Sequence, residues 1–311
     1  MRRAALLLAF AAASCCVPMR KLVDPARAIA PSPARRDLPR PIANEVRVER
    51  LVWHDATRGR DVPATLYIPV SAAPAPVVVF SHGIGEDRDS YEYLCRGLAR
   101  RGYLTVALTH FGTDKSVLQR GYIHLYRATK DLRNWANRPL DVRFAIDQLQ
   151  SRKDADLQRI AVVGHSAGAF TALTVAGMRT KAPQSLEDPR VRAVVAMSTP
   201  RLDGLPDGAY DTLKTPVLHI TGTCDNSLIF RTFPRHRRIP FEQSHASHQY
   251  LVTLEEVTHN TFSNREDVHH DEIVEITAAF LDGWLRDDAA ARSWFDEGGL
   301  AARPGVAVER K

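Results

Sequence analysis

Cysteine is scarce. There are four in 311 residues, at 15, 16, 95 and 224. Cys15 and Cys16 fall at the end of an apolar leader, so only Cys95 and Cys224 remain in the body. That excludes a framework of several disulfides and allows one bridge. The two are expected on different layers of the fold, as unpaired thiols. Long apolar runs are also missing. The uninterrupted run Ala4–Ala13 is far short of the roughly 20 residues a bilayer-spanning helix needs. Charge of one sign is barely in excess, with 42 Lys and Arg against 36 Asp and Glu. These residues are spread along the chain, which argues against a nucleic-acid partner. His245 and His248 stand three apart, but no acidic or cysteine partner follows at a matching spacing. No metal site and no cofactor are expected.

What the termini contain is more telling. Met1-Arg2-Arg3 precedes the apolar run and Ala11-Ala12-Ala13-Ser14 follows it, the layout of a secretory signal over residues 1–16. Ser14-Cys15 resembles the end of a bacterial lipobox, although Ala12 stands where leucine is usual. A plain signal peptide and a lipoprotein leader attached to a membrane through Cys15 both imply export, to a periplasmic, lipid-anchored or secreted location. Residues 17–43 carry Pro18, Pro25, Pro31, Pro33, Pro39 and Pro41 among arginines and alanines, and read as a linker or a surface-hugging arm. The body is expected over 44–290, with 291–311 as a C-terminal tail.

Within the body, short apolar runs alternate with amphipathic stretches. "NEVRVERLVWHD" and "DVPATLYIPV" alternate apolar and polar residues without a helix between them, which predicts an antiparallel start to a sheet. "APVVVFSHG", "YLTVALTH", "RIAVVG", "VRAVVAMS", "TPVLHITG" and "YLVTLEEV" read as strands. Between or after them, "SYEYLCRGLARRG", "RPLDVRFAIDQLQ", "AGAFTALTVAGMR" and "DEIVEITAAFLDGWLRD" read as helices. The fold class is α/β, a mostly parallel central sheet with helices on both faces. Segments 110–137 and 226–247 lack clear periodicity, and connections that long are usually functional covers.

Gly164-His165-Ser166-Ala167-Gly168 matches a G-x-S-x-G elbow, with a strand before it and a helix after it. Such a turn exposes a serine hydroxyl above the carboxyl edge of the sheet, and the glycines remove side chains that would clash with nearby backbone. A serine needs a base, and the base needs an acid to orient it. Asp225 in "LHITGTCDNS" and His259 in "LVTLEEVTHNTF" each follow a strand, in the order this architecture expects. Asp203 and Asp207 compete for the acid's role. Two backbone amides should stabilise an oxyanion, that of Ala167 at the helix start and that of Ile84 in "FSHGIGED". Gly83 and Gly85 let that loop approach closely, and His82 is expected to brace it.

At these residues the sequence resembles the α/β-hydrolase superfamily. More narrowly it is similar to the platelet-activating-factor acetylhydrolase and dienelactone-hydrolase-like bacterial esterases. "VVVFSHGIGEDRDSYEYLCRGLARRGYLTVALTH", "VVGHSAGAFTALTVAG", "VLHITGTCDNS" and "VTHNTF" carry the resemblance. It implies cleavage of a small-molecule or lipid ester through an acyl-enzyme on Ser166, with Asp225 as acid, His259 as base and the Ile84 and Ala167 amides as oxyanion donors. Dienelactone hydrolases use a cysteine where Ser166 stands. Mammalian acetylhydrolases carry a phenylalanine and two glycines where this chain has Ala167, Gly168 and Ala169. The alternatives are a phospholipase-like or cutinase-like polyester hydrolase, or a non-catalytic envelope protein that binds through the same cleft. Arg231, Arg235, Arg237 and Arg238 read as a solvated basic loop, or as a flap over anionic substrates.

Overall fold

The computed structural model describes residues 16–32, 44–71, 73–227 and 231–311. The expected leader up to Cys15, and with it the lipidation point, lies outside the described residues. β1 (Val46–Asp55) and β2 (Arg60–Pro69) form an antiparallel hairpin, as their alternation predicts. There follow β3 (Ala75–Ser81), β4 (Leu104–Leu108), β5 (Ala155–His165), β6 (Val191–Met197), β7 (Val217–Cys224), β8 (Gln249–Thr258) and β9 (Val306–Arg310). They make one nine-stranded sheet in the order β1-β2-β4-β3-β5-β6-β7-β8-β9. Pairing is parallel from β4 to β8 and antiparallel at both edges.

The apolar runs are continuous because both faces of the sheet are covered. α1 (Glu92–Arg100) lies on one face. α2 (Lys115–Gln119), α3 (Tyr122–Lys130) and α4 (Leu132–Gln148) follow β4, and α5 (Ala167–Val175) follows β5. α6 (Pro234–Arg237) and α7 (Ile239–Gln243) lie between β7 and β8, and α8 (His270–Leu285) and α9 (Ala289–Asp296) come after β8. Along β3 the side chains divide by the two-residue period of a strand. Val78 and Phe80 pack in the layer that holds Leu94, Leu98, Ile276 and Phe280, from α1 and α8. Val77 and Val79 pack in the layer that holds Val142, Ile146 and Leu173, from α4 and α5.

Three boundaries differ from the sequence reading. The stretch 291–311 is not a tail. It completes α9, buries Trp294 and Phe295, and pairs β9 with β8, Val308 standing opposite Val252. The strand was masked by Glu309, which is buried because Arg238 holds both its oxygens, at 2.6 and 2.8 Å. α4 begins before Arg138, with Pro139 inside it, because Asp131 caps the helix by accepting from the Arg133 amide. Lastly, Cys224 is not a free thiol. It is bonded to Cys16, while Cys95 is free and buried. Cys16, counted with the leader in sequence, is thus tied to the body. Residues 16–32 hug the surface: Val17 donates to the Thr223 carbonyl at 2.9 Å, and Ile29 to that of Val308 at 2.8 Å.

Candidate active site

β5 ends in a sharp turn that hands the chain to α5. Ser166 sits in that turn at φ +55°, a region where a non-glycine residue is strained. Its amide donates to the Met197 carbonyl of β6 at 2.9 Å, and its own carbonyl accepts from Ala169 at 2.9 Å, so the turn is held from both sides. A Cβ on Gly164 would run into the Gly168 carbonyl, and one on Gly168 into that of Ser81. Only glycine lets strand, turn and helix approach so closely.

The acid and base meet at the next strand ends. Asp225, just past β7, places Oδ1 2.9 Å from His259 Nδ1. Its other oxygen accepts from Thr221 Oγ1 at 2.8 Å. Asp203 pairs with Arg201 on the surface, its side chain 88% exposed, and Asp207 is exposed as well. Of the three acids considered, only Asp225 reaches the histidine. The His259 ring packs 4.6 Å, centre to centre, from that of His165, the residue before Ser166, so the base lies beside the elbow.

On the opposite wall, the loop after β3 lies against Ser166: a Cβ on Gly83 would stand 3.4 Å from the serine's own. The amides flanking Ile84 are engaged, Gly83 N–H on the Tyr91 hydroxyl at 3.1 Å and Gly85 N–H on the Thr113 carbonyl at 2.8 Å. Ile84 lies between these two anchored amides, and its side chain packs in one cluster with that of Ala167 at the start of α5. The side chains of Ile84 and Ala167 pack with Val117 and Leu125 of α2 and α3, so the irregular segment 110–137 covers this wall. His82 braces the loop, its Nε2 accepting from the His110 amide at 3.0 Å and its Nδ1 donating to the Gly83 carbonyl at 2.6 Å.

Several residues here were not anticipated. Tyr91 bridges the loop to the elbow, its hydroxyl 2.7 Å from His165 Nδ1. Ser198, just past β6, places Oγ 2.7 Å from Asp225 Oδ1 and 2.7 Å from His259 Nδ1. The basic loop is neither solvated nor a flap at Arg237 and Arg238, both of which are buried. Arg237 Nη2 lies 3.1 Å from Asp225 Oδ1. Burial alone would raise the Asp225 carboxyl. Arg237 and the hydrogen bonds from His259 and Ser198 outweigh that and hold it below the ordinary carboxylate range. Burial and then the Arg237 charge push His259 below the usual imidazole value, against the pull of Asp225. The only sequence signal for Ser198 was its place at a strand's carboxyl end, where ligands gather in such sheets.

A mostly parallel sheet with an antiparallel start, covered by helices on both faces and carrying a serine at the turn from β5 to α5, is the α/β-hydrolase fold. A family model described as serine aminopeptidase, S33, matches residues 72–202, the stretch that holds Ile84 and Ser166. A platelet-activating factor acetylhydrolase from Canis lupus familiaris is 26% identical over an alignment of 231 positions that covers 61% of this chain. The match spans 48% of that relative's length, about half. Among solved structures, a ferulic acid esterase from Streptomyces cinnamoneus superposes with a TM-score of 0.62 at 20% identity. That superposition covers 79% of this chain and 91% of the other, and shows the shared fold.

Proposed function

We propose that the protein is a serine hydrolase of carboxylic esters that works through an acyl-enzyme on Ser166. The observation that carries this reading is the 2.9 Å contact of Asp225 with His259 beside a serine held at φ +55°. His259 takes the proton of Ser166 as Oγ attacks the ester carbonyl, and the imidazolium then gives it to the departing alcohol. Asp225 fixes the imidazole tautomer, and the Ile84 and Ala167 amides bind the oxyanion. Water, activated by the same histidine, releases the acid and restores the serine. Because His259 sits below the usual imidazole value, it is neutral and able to act as a base at pH 7.

The name of the curated relative, an acetylhydrolase, supports esters of short acids. A series of p-nitrophenyl esters tests this: activity that rises from acetate to long acyl chains would favour the lipid or polyester alternatives. A fluorophosphonate probe tests the class. An adduct on Ser166, lost in Ser166→Ala, is the expected result. A folded protein that takes no adduct would leave only a binding role for the cleft.

We also propose export. The Cys16–Cys224 bridge supports it, since disulfides persist in oxidising compartments. Cell fractionation and the mass of the mature N-terminus test the location. A lipid on Cys15 marks an anchored protein, an unmodified start a soluble one, and recovery from the cytoplasm refutes export.

A further inference from the structure

Arg237 is the feature that the proposed reaction does not require. Its guanidinium is among the largest fully buried side chains and lies where three strand ends meet. Nη1 donates to the Ser198 carbonyl at 2.8 Å and to that of Thr199 at 3.2 Å, past β6. Nε donates to the Asp225 carbonyl at 3.4 Å, past β7. Nη2 stands 3.1 Å from Asp225 Oδ1 and 3.1 Å from His259 Nδ1, past β8. A hydroxyl could join these loops at no electrostatic cost, and Ser198 already bridges Asp225 and His259. A guanidinium brings in addition a charge that no ordinary pH removes.

Resting on the hydrolase reading, we propose that Arg237 is a positioning residue that sets the working pH of the site: it neutralises part of the Asp225 charge and keeps His259 unprotonated under mildly acidic conditions. The physical argument is a competition for one carboxylate. Asp225 favours the imidazolium, but its Oδ1 is shared with a fixed cation at the same distance scale. That cation also repels the proton on His259 directly. The other groups around the imidazole do not replace it. His165, from β5, is neutral, since burial and the neighbouring His259 press its proton affinity down. Ser198 is uncharged. Arg265, on the same stretch as His259, also presses it down, but its charge counts for less than that of Arg237 and is drawn to Glu86 at 2.6 Å. From the α6 side, only Arg237 touches the pair: Arg235 is exposed, and His236 faces it at 3.2 Å.

The deciding measurement is the titration of the His259 imidazole by NMR, in wild type and in Arg237→Gln. The wild-type ring is expected to titrate below the ordinary 6.5. In Arg237→Gln it should rise by about one unit or more, as removal of a charge at this distance does. The acid limb of kcat/KM should move up by the same amount, and Arg237→Lys, which keeps the cation, should move it far less. A purely structural role would lower stability or kcat without displacing either titration. A wild-type His259 that titrates at or above 6.5 overturns the proposal, with no variant needed. So does a folded Arg237→Gln whose ring and acid limb stay in place. Because the ring titrates whether or not esters are cleaved, failure of the hydrolase reading would show separately, as a missing adduct on Ser166.

Discussion

The Tyr91 hydroxyl ties the two halves of the proposed reaction centre together, accepting from the Gly83 amide at 3.1 Å and lying 2.7 Å from His165 Nδ1. One phenol thus fixes the loop that carries Ile84 against the turn that carries Ser166. All three groups are buried, so water cannot take its place. Tyr91→Phe leaves a buried N–H and a ring nitrogen without a partner, which costs about 1–3 kcal/mol in stability. We expect a larger relative effect on turnover, a loss of roughly 10- to 100-fold in kcat/KM, as the oxyanion donor drifts from its place. Urea unfolding and ester kinetics on the same preparation check both; kinetics unchanged in the folded variant would show that the loop holds its shape without Tyr91.

How much of this was legible in the sequence depends on the range of the interaction. β3 and β5 could be read because their apolar runs are continuous, and Ser166 because its glycines and flanking elements are local. Asp225 and His259 could be ordered by their places after strands. Arg237 could not be read, since nothing in "FPRHRRIP" distinguishes the buried guanidiniums of Arg237 and Arg238 from the exposed one of Arg235. β9 was hidden because Glu309 pairs with a residue 71 positions away. The Cys16 bridge spans 208 positions, and a Cys-Cys pair at the end of a leader gives no sign of such a partner.

That bridge is attached one residue before Asp225. Removing it frees the arm at 16–32 and releases a restraint on the loop that carries the acid. Reduction, or Cys16→Ser, should cost about 2–4 kcal/mol, the usual range for a native disulfide. Thermal melts with and without dithiothreitol check this: wild type should fall to the level of Cys16→Ser, and that variant should not respond to the reductant. Equal melting temperatures throughout would mean that the arm is held by its backbone contacts alone.

Arg238 and Glu309 form the buried clamp on β9, with the Asp24 amide adding a third donor at 3.0 Å. Glu309→Ala leaves the buried Arg238 guanidinium with Glu242 alone, at 2.8 Å from Nε, and we expect a loss of about 3 kcal/mol, the low end for a broken buried pair. Replacing both, as Arg238→Met with Glu309→Leu, should recover much of that loss, because no buried charge is left unpaired. Chemical denaturation of the three variants decides; a double variant no better than Glu309→Ala would show that the charges themselves are required.

A second serine, histidine and aspartate meet beneath the first set. Ser81 Oγ lies 2.9 Å from His110 Nε2, and His110 Nδ1 lies 3.0 Å from Asp141 Oδ2. By residue type it equals the proposed triad. It differs in access, as all three side chains are sealed, and in company, because Arg58 and Arg60 hold Asp141 at 2.8 and 2.9 Å. Arg138 then reaches from Ser81 to the His82 carbonyl, so this set supports the loop that carries Ile84. A fluorophosphonate should therefore label Ser166 and never Ser81. Peptide mapping of the adduct is the check, and any label at Ser81 would mean that this buried set becomes exposed to solvent.

Burial of neutral histidines gives the fold a pH dependence of its own. His82, His110, His165 and His219 are all buried, and burial lowers the proton affinity of each, His219 to about 4. In the unfolded chain they titrate near 6.5, so below that pH the unfolded state binds more protons than the folded one. Stability must then fall as pH falls, by on the order of 1 kcal/mol per pH unit for each such ring. For His219 the window runs from 6.5 down to about 4. Asp225, held below its ordinary value, begins to add its own loss only as pH falls through that ordinary value of 3.8. Urea midpoints should thus decline steeply between pH 7 and pH 5. A flat profile over that interval would mean that protons reach these rings in the folded protein, which their burial forbids.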